Sequence, residues 1–193
     1  YFFDSRGRNT TALYAIDVAT GAKTLVHEDA RADVAGAIDD PNTNKAQAVS
    51  VNYLKNEWKV VDPAIAADIE KLKAIGPGDF GINTRTLDDI TWLVAYNAAE
   101  TPVTYYRYVR GGTPEKLFSA RPALEGKPLV PMWPQQIPSR DGLTLVSYLS
   151  LPRTADDDND GRPERPVPLV LLVHGGPWAR DEYGYSAIDQ WLA

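Results

Sequence analysis

Leu171-Leu172-Val173-His174-Gly175-Gly176-Pro177 is the stretch around which the rest of the sequence is read. It ends an apolar run, Val167–Val173, that is bounded by Pro166 and by the two glycines. A short apolar run between Pro and Gly reads as a strand buried on both faces of a sheet. Gly175 and Gly176 carry no side chain, so another molecule can come close to their backbone. A reaction that builds negative charge on an oxygen is helped by backbone N–H groups aimed at that oxygen. Removing one such donor raises the barrier by on the order of 3 kcal/mol. Pro177 stiffens the exit from the turn, and His174 reads as a support of the loop rather than as a catalytic base. On the motif alone, a plain Gly-Gly turn after a strand accounts for the residues equally well.

On the C-terminal side, Trp178-Ala179-Arg180-Asp181 follows the glycines. Arg180 and Asp181 are read as holding the loop by charge-assisted hydrogen bonds, with direct contact to a substrate as the other reading. Ser186–Ala193 reads as the start of a helix, with Ser186 as its cap. On the N-terminal side, Ala155–Arg165 is very polar. Asp156, Asp158 and Asp160 alternate there and Gly161 follows, as in the first half of a calcium-binding loop. The twelfth position would be Val167 instead of a bidentate Glu, and Glu164 at the ninth would have to substitute. A solvated acidic loop is the simpler reading. Calcium bound there would favour a periplasmic or secreted location, because weak sites fill only where calcium is plentiful.

Further upstream, Asp141-Gly142 signals a hairpin turn leading into Leu143–Leu151. Pro122, Pro128, Pro131 and Pro134 mark 121–136 as an extended connector between domains. Before it the sequence reads as β. Leu13–Val18 and Lys23–His27 flank the turn Ala19-Thr20-Gly21. Tyr105–Val109 and Lys116–Phe118 flank Gly111-Gly112 in the same way, and Tyr14 matches Tyr106 as Leu25 matches Leu117. Two hairpins of one design suggest a repeat architecture such as a propeller. Further strands are expected at Ala48–Tyr53, Glu57–Val61, Phe80–Thr84 and Thr91–Tyr96. One helix interrupts them. Asp62 caps it, Pro63 suits its first position, Ile65, Ile69, Leu72 and Ile75 share one face, and Gly76-Pro77 ends it.

Composition excludes several classes. The 193 residues carry a formal charge of −6, with no basic cluster, against nucleic-acid binding. There is no cysteine, hence no disulfide framework and no thiolate zinc site. No apolar run is long enough to span a membrane as a helix.

Several motifs in order resemble bacterial members of the prolyl oligopeptidase family, in its acylaminoacyl-peptidase-like and dipeptidyl-peptidase-like branches. They are His174–Asp181 with Tyr183-Gly184-Tyr185 and Gln190–Ala193; Arg121–Leu124 with Arg140–Leu143; and Asp62-Pro63, Gly78-Asp79-Phe80, Trp92-Leu93-Val94 and Tyr105-Tyr106. The resemblance runs from Tyr1 to Ala193 and is densest over 121–193. It implies β-propeller blades, mostly β with one inserted helix, over 1–120, the connector over 121–136, and the N-terminal part of an α/β-hydrolase domain over 137–193. It implies a serine peptidase acting on short peptides, with a Ser-Asp-His triad and an oxyanion hole to which Gly176, beside Gly175, contributes a backbone N–H.

No Gly-x-Ser-x-Gly occurs: Ser186 has Gly184 two before it but Ile188 two after. The only histidines are His27 and His174. The triad is therefore expected beyond this stretch, and the chain alone is expected to be inactive. An esterase or lipase of the same fold is one alternative, and a non-catalytic propeller scaffold joined to a degenerate hydrolase is another. A hydrolase sheet without most of its strands would leave open edges and apolar faces prone to self-association.

Overall fold

The structure, a computed structural model, describes all residues from Tyr1 to Ala193. Its framework is antiparallel β. Strands β1 (Phe2–Asp4), β2 (Ala12–Ile16) and β3 (Lys23–His27) form one three-stranded meander, and β4 (Val34–Asp39), β5 (Ala46–Asn52) and β6 (Asn56–Val60) form a second. Strands β7 (Asp79–Arg85), β8 (Thr91–Ala98), β9 (Thr101–Val109) and β10 (Glu115–Ser119) form a four-stranded meander in the order β10-β9-β8-β7. Successive up-and-down meanders of this kind are consistent with propeller-like blades. A separate hairpin pairs β11 (Trp133–Pro138) with β12 (Thr144–Leu149), and its turn holds Gly142 at φ +85°.

Both hairpins expected near the ends of the β region form. Tyr14 faces Leu25, but Tyr106 faces Lys116, because the bulge in the later hairpin falls one residue earlier and takes up Leu117. Strand β2 ends at Ile16 instead of Val18, since the Asp17 carboxylate accepts the N–H groups of Ala19 and Thr20 and so starts the turn. Strand β4 has no counterpart among the expected strands. Its sequence, Val-Ala-Gly-Ala-Ile-Asp, has little β preference of its own, and pairing with β5 forms it.

The inserted helix forms as a 3-10 turn, Pro63–Ile65, continued by α1 (Ala66–Lys73). The Asp62 carboxylate accepts the Ala64 N–H at 2.9 Å. Ile65, Ile69 and Leu72 are completely buried against Ile38, Ala48, Phe80, Trp92, Val94 and Tyr108, with Ile75 packed at the margin. The helix face thus fills the space between the second meander and the third. Burying three such side chains contributes roughly 1.5–3 kcal/mol each. A smaller cluster, Leu13, Val34, Ala46, Val49 and Val51, joins the first meander to the second.

A polar network locks the other side of the helix. The Tyr108 hydroxyl donates to Asp68 at 2.6 Å. The Arg110 guanidinium donates to Asp68 and Asp89, each at 2.8 Å. Burial, then the hydrogen bond to Asp68, pushes the Tyr108 hydroxyl up to about 12. Trp92 donates its indole N–H to Asp89 at 2.9 Å, and Arg85 and Arg110 both stack on its ring.

The connector region makes a 3-10 turn at Pro122–Leu124 and then runs extended, with Val130 and Met132 buried, before its last residues enter β11. The helix expected at the C-terminus is α2 (Ala187–Leu192), and Ser186 Oγ accepts the Asp189 N–H. The run Val167–Val173 differs from expectation. It forms no strand, and Leu169, Leu171 and Val173 are exposed. A strand buried on both faces needs neighbours on both edges, and no strand of these 193 residues pairs with it.

Candidate active site

The stretch from Pro166 to Ala179 is irregular and stands in solvent. The N–H groups of Gly175 and Gly176 have no acceptor within the chain. A side chain added at Gly175 would meet nothing within 4 Å. His174 turns back on its own loop, its Nδ1 lying 2.7 Å from the Gly175 carbonyl oxygen. The Ala179 N–H closes on the Pro177 carbonyl at 3.2 Å, which makes the exit from the glycines tight. A side chain at Gly176 would meet the Trp178 N–H nitrogen at 3.5 Å, an ordinary contact, so the two glycines present two unpaired backbone donors.

Arg180 is the first residue after the glycines with long-range contacts. Its guanidinium donates to the carbonyl of Asn52, to that of Tyr53 at 2.6 Å and to the Tyr148 hydroxyl at 3.2 Å. It therefore ties this segment to the β5–β6 turn and to β12. The carboxylate of Asp181 makes no hydrogen bond or ion pair, so of the two charged residues only Arg180 acts as a clamp.

Beyond Arg180 the chain docks on the third meander. Tyr183 is buried with Ala99 and Met132. Lys55 lies over its ring at 3.9 Å and donates to the Pro77 carbonyl at 2.8 Å. Asp79 sits close by, accepting the Asn56 N–H at 2.9 Å. Burial pushes its carboxyl up to about 6 against the pull of that hydrogen bond and of Lys55, with Glu182 adding to the rise. Burial also lowers the Lys55 ammonium and raises the Tyr183 and Tyr148 hydroxyls. Gly184, at φ +147°, passes so close to Asn97 that a Cβ would overlap its side-chain amide, and Asn97 accepts the Tyr185 N–H at 3.2 Å. The Gln190 amide pairs with both backbone groups of Val130, each at 2.8 Å. Asn97 carries no motif and no sequence signal marks it; Gln190 opens the Gln190–Ala193 motif, but nothing in the sequence marks its pairing with Val130.

The acidic loop brings together Asp156, Asp158 and Glu164, whose carboxylate oxygens lie within 4.8 Å of one another, and leaves Asp160 out of the group. Asp156 accepts the N–H groups of Asp160 and Gly161 and the Trp133 indole N–H at 3.2 Å. Glu164 accepts the Asp157 N–H at 2.8 Å. These bonds close the loop by themselves. Two clefts in the surface lie away from it, one between β1 and β4 and one beside Arg85, Trp92 and Arg107. No helix is long and apolar enough to cross a membrane.

The mostly β architecture is consistent with propeller-like blades, and two curated relatives show the class: the chain is a dipeptidyl peptidase family homologue. Over its whole length it is 72% identical to dipeptidyl aminopeptidase BIII of Pseudoxanthomonas mexicana, of which it spans 28%. Over 88% of its length it is 33% identical to dipeptidyl peptidase family member 6 of Caenorhabditis elegans, of which it spans 25%. The chain thus spans about a quarter of the length of the curated relatives it matches. These matches bear out the resemblance to the prolyl oligopeptidase family. No family model matches the chain, and no solved structure does.

Proposed function

We propose that the protein carrying this chain is a serine-type dipeptidyl peptidase that hydrolyses peptide bonds in short peptides. The observation that carries the reading is the 72% identity over the whole chain to a dipeptidyl aminopeptidase, with the His174–Asp181 motif included in the matched span. Residues 1–120 supply propeller blades, and 137–193 open an α/β-hydrolase domain. The nucleophile, acid and base of a Ser-Asp-His triad lie outside these 193 residues.

In this reading the serine attacks the scissile carbonyl, and the histidine takes its proton and later passes it to the leaving amine. Negative charge gathers on the former carbonyl oxygen. The Gly176 N–H, with Gly175 keeping the approach open, donates to that oxygen, and the residue after the serine supplies the second donor. Having no competing acceptor, the Gly176 donor needs no internal bond broken before it acts. Placement of Val167–Val173 as a buried strand belongs to the same proposal, since further strands of the sheet would cover it.

A fluorophosphonate probe tests the proposal on the full-length protein and on the 193-residue chain side by side. Label on a serine outside these residues, none on the chain alone, and release of product from a dipeptide p-nitroanilide are expected. A folded full-length protein that takes no label would overturn the catalytic reading and leave a scaffold. Label without peptide turnover, but with ester turnover, would replace peptidase by esterase.

A further inference from the structure

The β5–β6 turn is gripped from outside to an unusual degree. Three consecutive carbonyls, those of Asn52, Tyr53 and Leu54, accept donors from elsewhere: the first two from Arg180, the third from the Tyr148 hydroxyl at 3.1 Å. The side chains of the turn reach out as well. The Tyr53 hydroxyl donates to Gln136 in β11 at 2.7 Å, and Lys55 reaches the Pro77 carbonyl and the Tyr183 ring. A tight hairpin turn cannot pair all its carbonyls within its own ladder, so it presents them in a row. The flat guanidinium, with its fork of donors, fits two adjacent carbonyls at once.

Arg180 stands three residues after Pro177, and the Ala179-to-Pro177 hydrogen bond removes slack between them. From Pro166 to Ala179 the only side-chain hydrogen bond is the local one of His174. Arg180 is therefore the first fixed point beside the two glycines. We propose that the β5–β6 turn is the seat of the glycine segment and that Arg180 is the positioning residue that locks the Gly176 N–H in place by gripping it. The inference rests on the peptidase reading above. Arg180 touches no reacting atom. It acts through the backbone it anchors, and it makes one turn of the propeller-like sheets a determinant of the oxyanion geometry.

The test is kinetic, on the full-length protein. Misplacing a catalytic group by about 1 Å lowers rate roughly 100-fold, so Arg180→Ala is expected to lower kcat by about that factor with KM within about threefold. Added guanidinium is expected to restore about tenfold of the loss. Arg180→Lys, a single point charge facing forked acceptors, is expected to fall between the two. Tyr148→Phe, which removes the donor to Leu54 and one acceptor of Arg180 but leaves the bonds of Arg180 to Asn52 and Tyr53, is expected to lower kcat by about threefold to tenfold. A folded Arg180→Ala protein with kcat close to wild type would overturn the inference while leaving the peptidase reading intact. Should that variant not fold, unchanged kcat in both Arg180→Lys and Tyr148→Phe would overturn it in the same way. A wild-type protein without turnover or label would overturn the peptidase reading, and this inference with it.

Discussion

Asp79 shows how a single partly buried carboxyl ties stability to pH. Its carboxyl is pushed up to about 6, chiefly by burial, although the Asn56 N–H and Lys55 pull the other way. Between its ordinary value of 3.8 and about 6, the folded state therefore holds a proton that the unfolded state has lost. Stability contributed by the neutral carboxyl is fully present below about pH 4 and is lost as pH rises through about 6. Asp79→Asn keeps an oxygen for the Asn56 N–H and removes the buried charge. The variant is expected to gain in Tm relative to wild type as pH is raised from about 4 to about 7. A Tm difference that stays constant over that range would refute the assignment. Residues of this kind were only partly legible in the sequence. Asp62 and Ser186 could be read because a cap acts on its own neighbours. The long-range bonds of Asn97, of Gln190 and of Arg180 could not, because they join positions 32 to 128 residues apart.

At the scale of elements, α1 and its 3-10 lead-in carry the joint between the second and third meanders. Ile69 is completely buried in the cluster that also holds Trp92 and Tyr108. Ile69→Ala is expected to destabilise the fold by about 2–5 kcal/mol, from lost burial and an unfilled cavity. Denaturant unfolding of the variant measures this, and a change below about 1 kcal/mol would mean that the helix closes over the gap or contributes little to the joint. The helix was legible because its cap, its apolar spacing and its Gly-Pro stop agree with one another. The hairpins were legible from their turns. Strand β4 was not, because Ala and Gly give no period and pairing alone makes it a strand. Val167–Val173 marks the opposite limit. Its apolar composition is that of a buried strand, but composition supplies no hydrogen-bonding neighbour, and within these residues there is none.

At the scale of the whole molecule, apolar surface is distributed unevenly. The meanders bury Trp92, Val94, Ile65 and Ile69 completely, whereas Leu171 is 80% exposed, Trp178 95% and Trp191 83%. Leu169 to Val173 are all exposed along an irregular segment whose backbone groups are also free, so it offers both apolar surface and unpaired backbone groups. Such a segment pairs readily with a second copy of itself. The charge of −6 spread over the chain opposes association only weakly at physiological salt, where it is screened within about 8 Å. The isolated 193-residue chain is therefore expected to self-associate in a concentration-dependent way when followed by sedimentation velocity. Replacing both Leu169 and Leu171 with Lys is expected to shift it toward monomer. Leu87→Lys serves as the control: it removes a side chain that is 77% exposed in the β7–β8 turn, outside the segment, and is expected to leave association unchanged. A monomeric wild-type chain, or an equal response to the control, would show that the segment is not the contact. Loss of association on replacing Leu169 and Leu171 only would place the contact on the strand that the peptidase reading assigns to the interior of a larger sheet.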